Sequence, residues 1–125
     1  EQVLAKTPDN FVVLNNLAFL ALEDKKLTRA EELAKKAVSL QRENADAADT
    51  LAQIYIAKGD KAAALKLYEE VAARPIANDD VYLNYVSVLL ELDKKALASR
   101  KLASREFKSE AAKQRAESLK QQYGL

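Results

Sequence analysis

The sequence predicts an all-α fold built from repeated antiparallel helix pairs, and three observations carry that prediction. Ala and Leu, both strong helix formers, supply about a third of the 125 residues. Two Gly and two Pro are too few turn formers for a β-sandwich. The apolar pattern also repeats every 34 residues. Leu17, Ala18 and Ala21 align with Leu51, Ala52 and Tyr55, and the same offset carries Ala30 to Ala64, Ala34 to Tyr68 and Ala37 to Val71. A second step reaches Tyr85, Val86, Leu89, Ala98 and Leu102, and a third reaches Leu119 and Tyr123. A unit repeated in this way cannot bury its apolar face alone and must stack on its neighbours.

The elements follow in order, with helices expected over 11–23, 28–41, 46–58, 61–73, 80–92, 96–107 and 110–122. In the first, Leu14, Leu17, Ala18 and Ala21 form one stripe at helical spacing. Lys25-Lys26-Leu27 interrupts it, and Thr28 followed by Glu31 predicts a capping box that restarts a helix. The small residues Ala18, Ala30, Ala52 and Ala64 fall where two helices approach closely, because interaxial distance follows side-chain size. Gly59-Asp60 turns the second pair, with Gly after a helix end and Asp60 as cap of the next. Asp79 or Asp80 is expected to cap the first helix of the third pair, and Lys94-Lys95 lies in its turn. Upstream, Val3-Leu4 followed by Pro8-Asp9-Asn10 reads as the tail of a preceding repeat, so residues 1–10 are expected to end a unit of an array that continues. A chain opening on Glu1-Gln2-Val3-Leu4 without Met reads as a fragment. At the far end Ala112, Ala116, Leu119 and Tyr123 make a narrow stripe, as a polar-backed capping helix requires.

Composition excludes whole classes of function. Hydrophobic residues make up 49% and charged residues 31%, with a net charge of +1, so neither a disordered tail nor a global attraction to nucleic acid fits. No apolar run approaches the roughly 20 residues of a spanning helix. The absence of Cys and His removes disulfides, thiolate metal sites and the commonest general base. No cofactor or metal is expected.

At Ala48, Leu51, Ala52 and Tyr55, and again at Ala64, Tyr68 and Val71, the chain resembles the tetratricopeptide repeat family. The first group fits the family's large–x–x–Leu–small–x–x–Tyr helix, and the second approximates its small–x–x–x–aromatic–x–x–Ala helix. The first repeat has Ala21 and Arg42 where the family prefers Tyr and Pro. The third has Tyr85-Val86 for the Leu–small pair and Arg105 for the closing Ala. The resemblance implies a right-handed α-solenoid with units over 11–44, 45–78 and 79–108 and a capping helix over 109–125. It also implies a protein-interaction scaffold. The run Leu14-Asn15-Asn16-Leu17-Ala18-Phe19-Leu20 additionally resembles tetratricopeptide proteins of bacterial envelope and exopolysaccharide-export systems. Location stays open between envelope and cytoplasm.

In such a stack the first helices line a concave groove. Spacing places Val12, Asn15, Phe19, Leu22 and Glu23 there from the first pair, and Asp46, Asp49, Gln53, Ile56 and Ala57 from the second. The third pair offers Asp80, Leu83, Ser87, Leu90 and Glu91, and the last helix adds Gln114 and Glu117. The chosen partner contacts are Val12, Asn15, Phe19, Asp46, Asp49, Gln53, Asp80, Leu83 and Ser87. The three repeats bring five acids and no Lys or Arg to this surface, which suits a neutral to basic, partly apolar peptide or helix. The same residues also suit an ordinary solvated face with Leu22, Ile56 and Leu90 packed between repeats. Family members that clamp the acidic tails of chaperones use cations here, and at the equivalent Phe19, Thr50, Asp80 and Asn84 none is found.

Two other features receive a blander interpretation. Lys101, Arg105 and Lys108 are expected to share a helix face within a stretch, 100–125, rich in Lys and Arg. Glu106, Glu110 and Glu117 interleave with them and aromatics are sparse, so a solvated face is expected and nucleic acid is not. The pairs Glu31-Glu32, Glu69-Glu70 and Asp79-Asp80 point about 100° apart on a helix and do not converge for acid–base chemistry. With no phosphate loop and no activated nucleophile, catalysis is not expected. The function expected is a protein–protein interaction scaffold; the alternatives are self-association or stacking within a larger array and, ranked behind it, nucleic-acid binding through the basic C-terminal helices.

Overall fold

The computed structural model describes residues 10–125. These residues form seven helices and no strand: α1 (Phe11–Glu23), α2 (Leu27–Leu40), α3 (Ala45–Ala57), α4 (Lys61–Val71), α5 (Asp79–Glu91), α6 (Lys95–Ala103) and α7 (Glu110–Tyr123). The fold is all-α and built from helix pairs. The expected tail of a preceding repeat, at Val3, Leu4 and Pro8, lies outside the described residues. Two compact units divide the chain after Arg74.

The 34-residue period is written into the backbone. First helices begin at Phe11, Ala45 and Asp79, and second helices at Leu27, Lys61 and Lys95. Each first helix is capped by an Asn. Asn10 accepts from the Val13 N–H, Asn44 from Ala47, and Asn78 from Asp80 and Val81, which satisfies amides that a helix start leaves unpaired. The expected cap at Asp79 or Asp80 is therefore corrected to Asn78. Both aspartates instead occupy the first turn, where the helix dipole favours negative charge.

Each first helix also ends alike. Lys25, Gly59 and Asp93 take left-handed backbone angles, with φ of 61°, 87° and 62°. The next residue's N–H then reaches back five residues: Lys26 to the Ala21 carbonyl at 2.9 Å, Asp60 to Tyr55 at 2.8 Å and Lys94 to Leu89 at 2.8 Å. This is the Schellman closure, which favours Gly at the left-handed position. Only Asp60 then caps a second helix with its side chain, by accepting from Ala63 N–H at 3.0 Å. The capping box expected at Thr28 and Glu31 does not form: Lys26 is the cap residue and has no side-chain cap bond. Glu31 points elsewhere, pairing with Lys35 at 2.7 Å and with Lys58 beyond the end of α3. Those pairs, Lys35 first, hold its carboxyl below the usual range.

In the first unit Leu14, Ala18 and Ala21 of α1 pack with Ala30, Leu33, Ala34 and Ala37 of α2 and with Leu51 and Ile54 of α3. Ala18, Ala30, Ala52 and Ala64 are all fully buried, as close helix approach demands. Helix α4 stops at Val71 rather than 73 because Pro75 disfavours helical geometry at Arg74. In the second unit Val86, Leu89, Ala98 and Leu102 join α5 to α6, and Ala112, Ala116 and Leu119 face inward from α7. Helix α6 ends at Ala103, well short of the expected 107. The linker that follows turns Phe107 inward, where its ring meets Tyr82 edge-on at 6.1 Å.

The left-handed turns give a direct test. Gly59→Ala is expected to destabilise the protein by about 1 kcal/mol, although no atom lies within 4 Å of the added Cβ, because the cost is in the backbone. Lys25→Gly is expected to stabilise it by about 0.5 kcal/mol, the relief of strain being partly offset by unfolded-state entropy. Urea midpoints moving in the same direction for both variants would contradict this account.

Candidate functional site

Helices α1 and α3 pack side by side in the first unit. Each carries its predicted groove residues at i, i+3 and i+7, a spacing that puts them on one face. On α1, Val12 is 61% and Phe19 51% exposed, with Asn15 half-buried between them. On α3, Asp46 is exposed in the first turn, and Asp49 and Gln53 are half-buried. Glu23 and Ala57 are exposed, while Leu22 packs partly against the core.

A buried phenol stands behind the α3 residues. Tyr68 of α4 is fully buried, and a buried hydroxyl needs partners. It donates to the Asp49 carboxylate and accepts from Gln53 Nε2 at 3.1 Å. The two α3 side chains are thereby tied to a rigid core position. One repeat earlier, Asn15 takes the place of Asp49 and Ala34 that of Tyr68. Ala34 offers no donor, and Asn15 Oδ1 is buried without a hydrogen-bond partner among the described residues. The sequence signal was an aromatic at Tyr68 with a polar residue 15 and 19 positions earlier, hidden because the ring alone satisfies the repeat pattern.

The second unit requires two corrections. Leu83 is fully buried and cannot be a partner contact, because α7 packs onto this face of α5. Arg115 of α7 then brings a cation to a face expected to have none. Its Nη2 lies 2.7 Å from Asn84 Oδ1 and 3.5 Å from Ser87 Oγ, and its Nη1 is 3.5 Å from the Asp80 carbonyl. Asp80 stays exposed and Ser87 half-buried, and Leu90 is buried. Gln114 and Glu117 lie exposed on α7. The missed signal was an Arg set within the inward stripe of Ala112, Ala116 and Leu119.

The basic helix face expected of Lys101, Arg105 and Lys108 does not form, since α6 has ended before Arg105. Its guanidinium instead holds Asp79 Oδ1 through Nε at 3.0 Å and Nη2 at 2.8 Å, and the Ile76 and Ala77 carbonyls at 2.6 and 3.0 Å. It also lies 4.4 Å from the centre of the Tyr82 ring, in cation–π range. Lys101 similarly sits 5.0 Å from the Tyr85 ring centre. Among the described residues no group of three or more Asp and Glu is placed to hold a metal ion, and no helix is long and apolar enough to cross a membrane.

Helix pairs with a common 34-residue backbone plan, capped and closed alike, define a helical-repeat protein. Residues 21–75 match the family model described as tetratricopeptide repeat. Over these residues the chain is similar to tetratricopeptide repeat proteins. Its fold is similar to that of YrrB, described as a TPR protein with an unusual peptide-binding site, with a TM-score of 0.72 at 22% identity over 82% of this chain and 53% of that one. It is likewise similar to Pseudomonas aeruginosa pilF, with a TM-score of 0.71 at 19% identity over 97% of this chain and 64% of that one. The chain thus spans about half the length of the first and under two thirds of the second. No curated protein matches its sequence.

The Arg105 tie carries a pH signature. Hydrogen bonding from Arg105, then from the Lys108 backbone N–H, holds the Asp79 carboxyl below its ordinary range. The unfolded chain therefore takes up this proton first as pH falls. The stabilisation is complete above the ordinary Asp value of about 3.9 and is lost as pH drops through the lower folded value. Arg105→Ala is expected to cost about 2–3 kcal/mol near neutral pH, and Asp79→Asn to lower stability there while flattening its fall below about pH 4. An unchanged acid limb in urea titrations of Asp79→Asn would remove Asp79 from this role.

Proposed function

We propose that the protein is an interaction scaffold whose α1–α3 face takes a peptide or helix of another protein, neutral to basic and partly apolar. The observation that carries this reading is the side-by-side placement of two unlike surfaces. Val12 and Phe19 offer exposed apolar contact on α1, and Asp49 and Gln53, held from behind, offer fixed polar contact on α3. Aromatic anchors beside oriented polar groups are the usual anatomy of a protein-binding surface. The fold likeness to a TPR protein described as having a peptide-binding site supports the reading. Rigid helices would leave most of the ordering cost to the bound segment.

The test compares capture from native lysate by the wild-type chain and by a Phe19→Arg/Gln53→Arg variant, with circular dichroism to confirm the fold. A partner bound by the wild type is expected to lose about tenfold or more in affinity, about 1.4 kcal/mol. Equal capture by both proteins would refute the assignment of this face.

One observation favours self-association as a second reading. Leu20 is 56% exposed on α1, whereas its repeat equivalent Ile54 is fully buried in the cluster that includes α1 and α2. The α1 face is thus the kind on which another helix pair stacks, here one from a second copy. Sedimentation equilibrium should then show a dimer that Leu20→Glu converts to monomer, and a wild-type chain monomeric throughout would end this reading.

A further inference from the structure

Resting on the groove reading above, we infer that Tyr68 is a positioning residue: its buried hydroxyl fixes Asp49 and Gln53 as one acceptor unit for the cationic side chain, Arg or Lys, of a bound segment. The polarity of the network follows from its chemistry. An ionised carboxylate only accepts, so the Tyr68 hydroxyl must donate to Asp49, and its oxygen is then the acceptor for Gln53 Nε2. This fixes the carboxamide with its amino group toward the core. What the pair offers a partner is a carboxylate and a carboxamide oxygen, with the exposed Asp46 one turn away. Neither α1 nor α3 contains a Lys or Arg, and a carboxylate, with about four acceptor sites, has room for a further donor beside the partners it already holds. A donor-rich cation is the complement of such a set, and Arg matches it best because its planar fork can bond two acceptors.

The repeats themselves argue that the hydroxyl does more than serve the fold. At the positions equivalent to Tyr68 stand Ala34 and Leu102, both buried and both without a polar side-chain atom. The positions equivalent to Asp49 hold Asn15 and Leu83. Helix pairs of the same kind therefore form without the network. The hydroxyl and the carboxylate occur together in the second repeat, on the face that also displays Gln53.

The test uses the blocked tripeptide Ac-Ala-Arg-Ala-amide and its neutral citrulline counterpart, titrated against the isotope-labelled chain by NMR. Arginine peptide is expected to shift Asp49, the Gln53 side-chain amide and Asp46, with citrulline peptide about five- to tenfold weaker. Tyr68→Phe, which keeps the ring, is expected to weaken the arginine peptide by about fivefold with the amide spectrum otherwise preserved. Asp49→Asn is expected to abolish the preference for arginine over citrulline. Shifts equal for the two peptides, or an arginine preference unaltered in Tyr68→Phe, would overturn the inference and leave the groove standing. No shift at these residues with either peptide, together with equal capture in the lysate comparison, would overturn both.

Discussion

Close approach of paired helices is the constraint from which the rest of this structure follows. Ala30, Ala64 and Ala98, one per repeat, are fully buried at the same position of each second helix. Ala18, Ala52 and Val86 lie equally buried on the first helices. Side chains this small bring the backbones together, and that proximity requires the chain to reverse direction within a few residues. The left-handed residue at Lys25, Gly59 and Asp93 performs the reversal. Only the middle repeat meets that need with Gly. The outer two accept strain at an exposed Lys and an exposed Asp, which the burial of the pair must offset.

Much of this was legible in the sequence, and the boundary of legibility has a physical basis. Helix starts and ends were readable within a residue or two for α1, α2, α3, α5 and α7 because burial imposes a strict period on the apolar residues. Caps were harder. The Asn10, Asn44 and Asn78 series repeats as faithfully as the core, but a cap is a single polar residue that any loop tolerates. Thr28 and Glu31 had the spacing of a capping box, and lost it because Glu31 found two lysines. Helix α6 was overextended because helical periodicity did not reveal that Arg105 would gain more from four oxygen contacts across the linker than from one more turn.

The candidate site shows the same boundary more sharply. Angular spacing alone assigns a residue to a face, and Val12, Phe19 and Asp46 are exposed. What spacing cannot say is what covers that face. Leu83 and Asp49 occupy equivalent positions, yet α7 lies over the first, and it is fully buried, whereas the second is half-buried and hydrogen bonded. Arg115 was invisible for a related reason. A charged residue in an inward stripe is ordinarily a sign of weak burial, and here its long side chain instead carries the charge to Asn84 and Ser87.

The Tyr68 network joins these two levels, because it makes a surface property depend on the core. A buried phenol stripped of its acceptor costs about 1–3 kcal/mol, so Asp49 cannot be changed without penalty to the helix pair behind it. The converse penalty is smaller: replacing Tyr68 by an apolar residue of similar shape takes a bond from Asp49 and Gln53, but both are half-buried and keep access to water. The pair is thus asymmetric. Stability constrains Asp49 once Tyr68 is present, but little in the packing requires the hydroxyl, since Ala34 and Leu102 fill its position in the neighbouring repeats. A polar group the fold can do without, bonded to two side chains on an accessible helix face, is the basis of the binding role proposed for that face.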